Sequence, residues 1–280
     1  DANYSETGWY ADVLLPSATY LEKSSVLTTG KGLKPQIGMR KQAVEPRNDA
    51  KPDWWMFKSL AERLGAGEYF KFKDMEAFWE WQLEDTGVTV SDLEKKGFVA
   101  LTDKPVWWDR LKDLKFKTPS KKIEFVSSRL EASGIESFKP YASPQKPDEG
   151  YYRLAFGRSP VHTHGRTQNN PVLSEIMPVN QLWLNDQEAG KLGVANGDRV
   201  RVTSADGSHS GTINVYVTEF IHPESVFMVH GFGRKVPWQT RGYNKGLGDY
   251  RFETGLLGVY DPVGGANSLM ECFVKVEKAE

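Results

Sequence analysis

The sequence contains a single cysteine, Cys272, among its 280 residues. One thiol cannot form an internal disulfide, and it cannot supply the four thiolates of an iron–sulfur cluster or of a Cys₄ structural zinc site. We therefore expect any such centre to depend on residues outside this chain. The thiol lies in an apolar strand pattern, so we predict a buried cysteine rather than a nucleophile.

An excess of charge of one sign is also lacking: 36 Lys and Arg residues stand against 37 Asp and Glu residues, and the formal net charge is −1. Proteins hold nucleic acids largely by neutralising phosphates, and anionic membranes attract polybasic segments. No apolar run approaches the ~20 residues of a membrane-spanning helix. The composition therefore argues against nucleic-acid binding and against direct insertion into a membrane.

Hydrophobic residues make up 39% of the chain, which is enough for two cores. The segment 139–150 carries three prolines, a terminal glycine and four charged residues, a composition typical of a linker. We place a domain boundary there and predict one domain at 1–145 and a second at 146–280.

The first half of the chain carries helix signals. We expect one helix capped by Asp53 and ended by Gly65, a second that begins after Asp74, and a third with a capping box from Ser91 to Glu94 that ends at Gly97.

Apolar spacing in this half predicts two buried surfaces. Phe57, Leu60, Ala61 and Leu64 recur at helical spacing, which predicts an inward face on the first helix. The apolar run from Val13 to Leu15 predicts a short buried strand.

The second half changes to a period of two, which is typical of half-buried strands. The pattern predicts strands at 152–156, 199–203, 212–217, 225–229 and 272–276. One short helix interrupts them, capped by Asn185 and ended by Gly193. About six short strands with little helix predict a compact β-barrel.

The densest polar cluster runs from Gly157 to Asn170, directly after a predicted strand. Arg158 and Arg166 could each fork onto a phosphate, and the amides of Gln168, Asn169 and Asn170 could pair with a heterocycle edge. The cluster therefore favours an anionic ligand rich in heteroatoms. A solvated loop is the alternative interpretation.

His162 and His164 offer a sharper alternative within this cluster. On an extended segment, residues i and i+2 face the same way, so the two rings could chelate zinc. A third ligand would have to come from His209, His222 or His230. The competing interpretation gives both histidines hydrogen-bonding roles.

Several nucleotide and hydrolase motifs are missing. The sequence has no G-x-G-x-x-G after a strand, no P-loop and no G-x-S-x-G elbow. The loop from Asp261 to Asn267 is rich in turn residues, and Asn267 could face a site or simply belong to a tight connection.

Motifs in order along the chain identify a resemblance to the molybdopterin oxidoreductases, the dimethyl sulfoxide reductase superfamily. They are Asp1 with Glu6-Thr7, Tyr10-Ala-Asp-Val-Leu-Leu-Pro16, Pro52-Asp-Trp54, Thr118-Pro-Ser-Lys-Lys-Ile-Glu124, and the stretch from Trp183 to Val202. The segment from Gly157 to Pro171 most resembles polysulfide and thiosulfate reductase catalytic subunits.

The resemblance implies a mixed fold, in which the end of an α/β domain is followed by a six-stranded, double-psi-like β-barrel that binds molybdopterin guanine dinucleotide with molybdenum or tungsten. It places a 4Fe–4S cluster and the protein ligand of the metal in an N-terminal part of the subunit that this sequence does not include. We therefore expect no catalytic and no metal-ligating residue in this chain.

The resemblance also implies which residues bind the cofactor. The loop contributes Arg158, His162, Thr163, His164, Thr167, Gln168 and Asn169; Asp1 and Thr7 match a nucleotide-side segment, and Asn267 lies in the final polar loop.

The function expected from this resemblance is the cofactor-binding C-terminal portion of an oxidoreductase that reduces an inorganic sulfur compound, such as polysulfide or thiosulfate. This portion alone would be inactive. Its expected partners are the N-terminal remainder of the subunit, an iron–sulfur electron-transfer subunit and a membrane anchor, on the periplasmic or outer face. The alternative is a stand-alone module that binds a nucleotide-like ligand or an assembly partner without catalysis.

Overall fold

The computed structural model describes residues 1–106, 114–138, 140–141, 143–253, 261 and 263–279. The chain divides into two compact units, one of residues 1–3 and 12–142 and the other of residues 4–11 and 143–280. The linker at 139–150 spans this division. The segment 4–11 belongs to the second unit, which a single boundary in the sequence does not predict.

The first unit combines short helices with a small sheet. Helix α1 (Glu6–Tyr10) belongs to the second unit, and the first contains β1 (Thr28–Gly30), β2 (Gln36–Gly38), α2 (Asp53–Arg63), α3 (Met75–Leu83), α4 (Val90–Lys96), β3 (Phe98–Ala100) and α5 (Ser128–Ala132). The strands form an antiparallel sheet in the order β1-β2-β3. The hydrophobic core of the first unit consists of Leu27, Ile37, Trp79, Leu83 and Leu93.

The helix starts correct two predictions. Asp74 caps α3 as expected, since its carboxylate accepts from the Ala77 amide at 2.9 Å. The capping box of α4 joins Thr89 and Asp92 rather than Ser91 and Glu94, because the earlier pair satisfies the same spacing. Asp53 is the first residue of α2 and not its cap, and its carboxylate pairs instead with Lys23 and Ser17.

The prediction that two apolar surfaces of this unit are buried is wrong. Residues 13–15 form no strand, and Val13 is 75% exposed. Phe57 and Leu64 are 63% and 80% exposed, and no residue of α2 is buried. Helical spacing shows which face can be buried, whereas burial also requires a packed partner.

The second unit is a closed barrel. Its strands are β4 (Tyr151–Gly157), β5 (Leu182–Leu184), β6 (Arg199–Ser204), β7 (Ser210–Val217), β8 (Ser225–Val229) and β9 (Phe273–Lys278), in the order β4-β8-β5-β7-β6-β9. β4 pairs with β8, and β5 with β7, in parallel, while the other neighbours are antiparallel. The predicted mixed fold with a six-stranded, double-psi-like barrel is confirmed.

The barrel forms because its strands alternate inward and outward side chains. On β4, Tyr152, Leu154 and Phe156 are buried and the residues between them are partly exposed. Full burial of an aliphatic side chain stabilises the fold by about 1.5–3 kcal/mol. Closure of the barrel leaves no strand edge unpaired, so six short strands suffice to form a stable sheet.

Besides α1, the barrel unit contains α6 (Pro171–Ile176) and α7 (Asp186–Leu192). The predicted helix after Asn185 is confirmed: the Asn185 side chain accepts from the Gln187 amide, and Gly193 ends α7 in the left-handed conformation. In the described parts of the chain, no helix has the length and apolarity needed to cross a bilayer.

A buried asparagine fastens one end of the barrel. The amide nitrogen of Asn180 donates to the carbonyls of Val229 and Leu247, both at 2.8 Å, and its oxygen accepts from the Leu247 amide at 2.9 Å. Gly246 has φ +65° beside it, and a Cβ there would overlap the Asn180 oxygen. Asn180 therefore joins the end of β8 to the segment around 247.

We expect Asn180→Ala to lower the free energy of unfolding by about 2–4 kcal/mol, because it leaves two carbonyls and one amide without partners. Chemical denaturation measures the loss, and Asn214→Ala at an exposed position of β7 is the control. Equal stability of the two variants would contradict this role.

Cys272 is buried as predicted, with 3% of its surface exposed. Burial, and to a lesser degree the charge of Glu253, raises the pKa of the thiol to about 11 from a usual 9.0. The thiol is therefore protonated and inert at neutral pH.

Because this pKa is higher in the folded than in the unfolded chain, the unfolded chain loses its proton first. The contribution of the protonated Cys272 thiol to the free energy of unfolding is complete below about pH 9, and it declines as the pH rises toward 11. We expect the free energy of unfolding to fall more steeply over this range in the wild type than in Cys272→Ala. Burial raises the pKa of Tyr152 to about 12 in both proteins, so the difference isolates the thiol. Parallel pH profiles would refute the assignment.

Candidate functional site

The candidate site forms where two neighbouring parallel strands end. β4 ends at Gly157 opposite Val229, the last residue of β8, and the His230 amide donates to the Gly157 carbonyl at 3.0 Å. Parallel strands bring their carboxyl ends to the same rim. The polar loop 158–170 and the segment 230–249 therefore leave the barrel side by side.

His162 anchors the loop from within. The residue is 5% exposed, its Nε2 donates to the Met177 carbonyl at 2.8 Å, and its Nδ1 accepts from the Thr167 hydroxyl at 3.2 Å. The ring also meets Phe232 edge to face, with centroids 5.6 Å apart. Both ring nitrogens are thus engaged within the protein.

This geometry removes the basis of the zinc alternative. His164 has φ +50°, so the backbone is turned and not extended between the two histidines. Its ring lies instead against His230, with centroids 4.4 Å apart. In the described ranges, no group of three His, Cys, Asp or Glu side chains is arranged to hold a metal ion.

Thr167 closes the loop on itself. Its hydroxyl oxygen accepts from the Thr163 amide at 2.9 Å while its proton goes to His162. Asn170 caps α6, where its side-chain oxygen accepts from the amides of Val172 and Leu173 at 3.0 and 3.1 Å. Asn170 therefore starts a helix. Its side-chain oxygen is occupied by the two backbone amides, so the expectation that this oxygen pairs with a heterocycle edge is wrong.

The segment 230–249 forms the facing wall. Burial lowers the pKa of His230, and the charges of His164 and Arg158 lower it further against the opposing effect of Asp249. His230 is consequently neutral at pH 7. Its Nε2 is buried and has no hydrogen-bond partner in the part of the chain that the structure describes.

Gln168 is the most informative side chain of the loop. It is 4% exposed, and among the described residues neither its amide oxygen nor its amide nitrogen has a hydrogen-bond partner. A buried polar group left unpaired costs about 1–3 kcal/mol. One donor and one acceptor held on a planar group suit the edge of a heterocycle such as a pterin, so the residues present fit that cofactor.

Glycines allow the two walls to touch through their backbones. Gly231 has φ +90°, and a Cβ there would lie 2.7 Å from the Gly165 nitrogen. The Gly231 amide donates to the buried Asp249 carboxylate at 3.1 Å. The backbone of the glycine-rich run 230–233 therefore approaches the loop 158–170 closely.

The structure brings part of the predicted residue set together. His164 and Gln168 lie in the loop against the segment 230–249. The charge of Arg158 lowers the pKa of His230, and the Asn169 side chain accepts from the Arg241 amide at 2.9 Å. The side chain of Thr163 is exposed on the same loop.

Three further predicted residues belong neither to the loop 158–170 nor to the segment 230–249. Asn267 lies in an exposed loop, and its described contacts include none to residues 158–170. Thr7 is exposed on α1 of the second unit. Asp1 belongs to the first unit, where its backbone nitrogen donates to the Leu15 carbonyl at 2.9 Å.

Sequence reasoning missed Arg234, whose guanidinium lies against Gly165. It left His230 unplaced. The signal for both was the run His230-Gly-Phe-Gly-Arg234 directly after a strand.

Two family models match the chain. One, described as molybdopterin oxidoreductase, matches residues 1–63, and the other, described as molydopterin dinucleotide binding domain, matches residues 152–273. The chain belongs to the molybdopterin oxidoreductases. The second match covers the barrel from β4 to the start of β9, and so includes the whole candidate site.

Curated relatives agree with this family. The chain is 32% identical over 275 residues to the thiosulfate reductase molybdopterin-containing subunit of Salmonella typhimurium, covering 88% of this chain and 35% of that protein. It is 25% identical to the dimethyl sulfoxide/trimethylamine N-oxide reductase of Cereibacter sphaeroides, covering 82% and 31%.

Acetylene hydratase from Pelobacter acetylenicus shares the fold, with a TM-score of 0.72 and 20% identity over 95% of this chain and 38% of that one. The chain thus spans about a third of the length of these proteins.

We expect Thr167→Val to destabilise the barrel unit by about 1–3 kcal/mol, because it leaves the Thr163 amide and His162 Nδ1 unpaired. Thr167→Ser keeps the hydroxyl and serves as the matched control. Chemical denaturation, together with the rate of tryptic cleavage after Arg166, measures the effect. If the valine and serine variants behave alike, Thr167 does not hold the loop.

Proposed function

We propose that the second unit binds the guanine dinucleotide form of the molybdopterin cofactor for a molybdenum- or tungsten-dependent oxidoreductase. Family membership supports the cofactor class. The buried, unpaired amide of Gln168 is the single observation that carries the assignment to this loop. When bound, the cofactor supplies metal-centred two-electron chemistry that the protein's side chains cannot.

The chain's own residues bind and orient in this proposal. Gln168 pairs with donors and acceptors on a ring edge of the cofactor. Arg158 and His164 are exposed on the loop, where they can reach an anionic group of the cofactor. His230 remains neutral and offers one ring nitrogen without adding charge. The anchors His162 and Thr167 keep these groups in place and need not touch the cofactor.

We further propose that the complete enzyme reduces an inorganic sulfur compound such as polysulfide or thiosulfate. The support is the segment from Gly157 to Pro171 and the similarity to a thiosulfate reductase subunit. Other relatives are named as a formate dehydrogenase and a nitrate reductase, so the substrate depends on residues beyond the shared barrel.

The same proposal includes the remaining components of the system. A 4Fe–4S cluster would belong to the rest of the subunit, because this chain has one cysteine. An iron–sulfur electron-transfer subunit and a membrane anchor would complete the complex on the periplasmic or outer face.

Metal analysis and acid hydrolysis of the purified full-length protein test the proposal. We expect molybdenum or tungsten together with released GMP. A folded protein that contains neither would contradict the proposal and favour a binding module without catalysis.

Gln168→Leu separates binding from folding. Leucine removes two unpaired polar atoms and keeps the volume roughly constant, so we expect unchanged or higher stability of the cofactor-free protein. The GMP content should fall several-fold, because the ring edge loses its partner. Gln187→Leu, at an exposed position of α7, is the control. Normal GMP content in Gln168→Leu would remove Gln168 from the site.

A further inference from the structure

The segment 4–11 is tied to the barrel by an ion pair that spans 228 residues of sequence. Glu6 Oε2 accepts from Arg234 Nη1 at 2.6 Å, and Glu6 Oε1 accepts from the Lys235 amide at 2.9 Å. The Glu6 and Arg234 side chains are only 26% and 22% exposed. Partial shielding from water makes such a charge-assisted pair stronger than one on an open surface.

Other contacts of the segment lead to the same part of the barrel unit. The Tyr4 carbonyl accepts from the Gln239 side chain at 3.0 Å, and the Trp238 ring lies 4.8 Å from the rings of both Tyr4 and Trp9. Helix α1 has only five residues, and an isolated helix of that length is unstable in water. Its conformation therefore depends on these contacts.

The opposite side of Arg234 faces the candidate loop. A Cβ on Gly165 would overlap Nη2 of the guanidinium, and all three nearest atoms belong to Arg234. Gly165 does not have a positive φ, so the requirement for glycine is steric and not conformational. Further along, a Cβ on Gly242 would lie 3.7 Å from both Gln168 Cβ and Arg234 Cγ. Arg234 thus contacts Glu6 through Nη1 and lies against the loop through Nη2.

We propose that Arg234, oriented by Glu6, is a positioning residue that sets the place of the loop 158–170 and therefore of the Gln168 amide. Glu6 fixes the direction of the guanidinium, and the guanidinium fixes how closely the backbone at Gly165 approaches. Only two residues separate Gly165 from Gln168, so a displaced backbone displaces the amide. The identity of the ligand in this inference depends on the proposed function, whereas the role of Arg234 in positioning the loop does not.

A double-mutant cycle in the full-length protein tests the steric part. Gly165→Ala forces Arg234 away from Glu6, so we expect the GMP content per folded protein to fall about threefold or more. In the Arg234→Ala background the overlapping atom is absent, so the same substitution should have little further effect. Gly264→Ala, at an exposed glycine with ordinary φ, is the matched control.

Equal losses from Gly165→Ala in both backgrounds would overturn the coupling. If Gly165→Ala alone does not fold, folding of the double variant supports the proposal, and failure of both overturns it.

Tryptic cleavage after Arg166 in cofactor-free protein tests the positioning part without any bound ligand. We expect faster cleavage in Glu6→Gln and Arg234→Ala than in the wild type, at temperatures well below unfolding. Lower thermal stability with unchanged cleavage would show a merely structural ion pair and would contradict the proposal. Wild-type protein without GMP would refute the proposed function, while the cleavage result would still decide the role of Arg234.

Discussion

The parallel pairing of β4 with β8 is the constraint on which the rest of the structure depends. The register that matches Gly157 with Val229 brings two chain segments out of the barrel at one rim, although about seventy residues separate them. Barrel closure fixes that register, since a shift by one residue would turn the buried side chains outward. The site is therefore built from loops on a rigid frame.

The loops at this rim divide the work between anchoring and binding. The polar side-chain atoms of His162, Thr167 and Asn170 form hydrogen bonds within the protein, and these bonds hold the loop in one conformation. Gln168 and His230 have buried polar atoms that no described residue pairs with, which native proteins rarely tolerate without a ligand or water. An unpaired amide inside a well-anchored loop is what a preorganised binding site for a neutral heterocycle requires.

Much of this architecture could be predicted from the sequence. The apolar run in Ser225–Val229 predicted β8 with the bounds that the structure has. Strand β5 has only three residues and was missed, because so short a run carries no period. The roles within the polar loop could not be separated either, since anchoring and binding residues have the same chemistry. The pairing of Glu6 with Arg234 depends on tertiary contact, and sequence spacing carries no signal for it.

The distance between the Gln168 amide and the bound cofactor tests the central claim most directly. A structure of the full-length protein with its cofactor would measure it. The account predicts that the amide oxygen or nitrogen lies within hydrogen-bond distance of the cofactor, roughly 2.7–3.2 Å, while His162 keeps its contacts with Thr167 and Met177. A cofactor bound elsewhere, with Gln168 still unpaired, would contradict it.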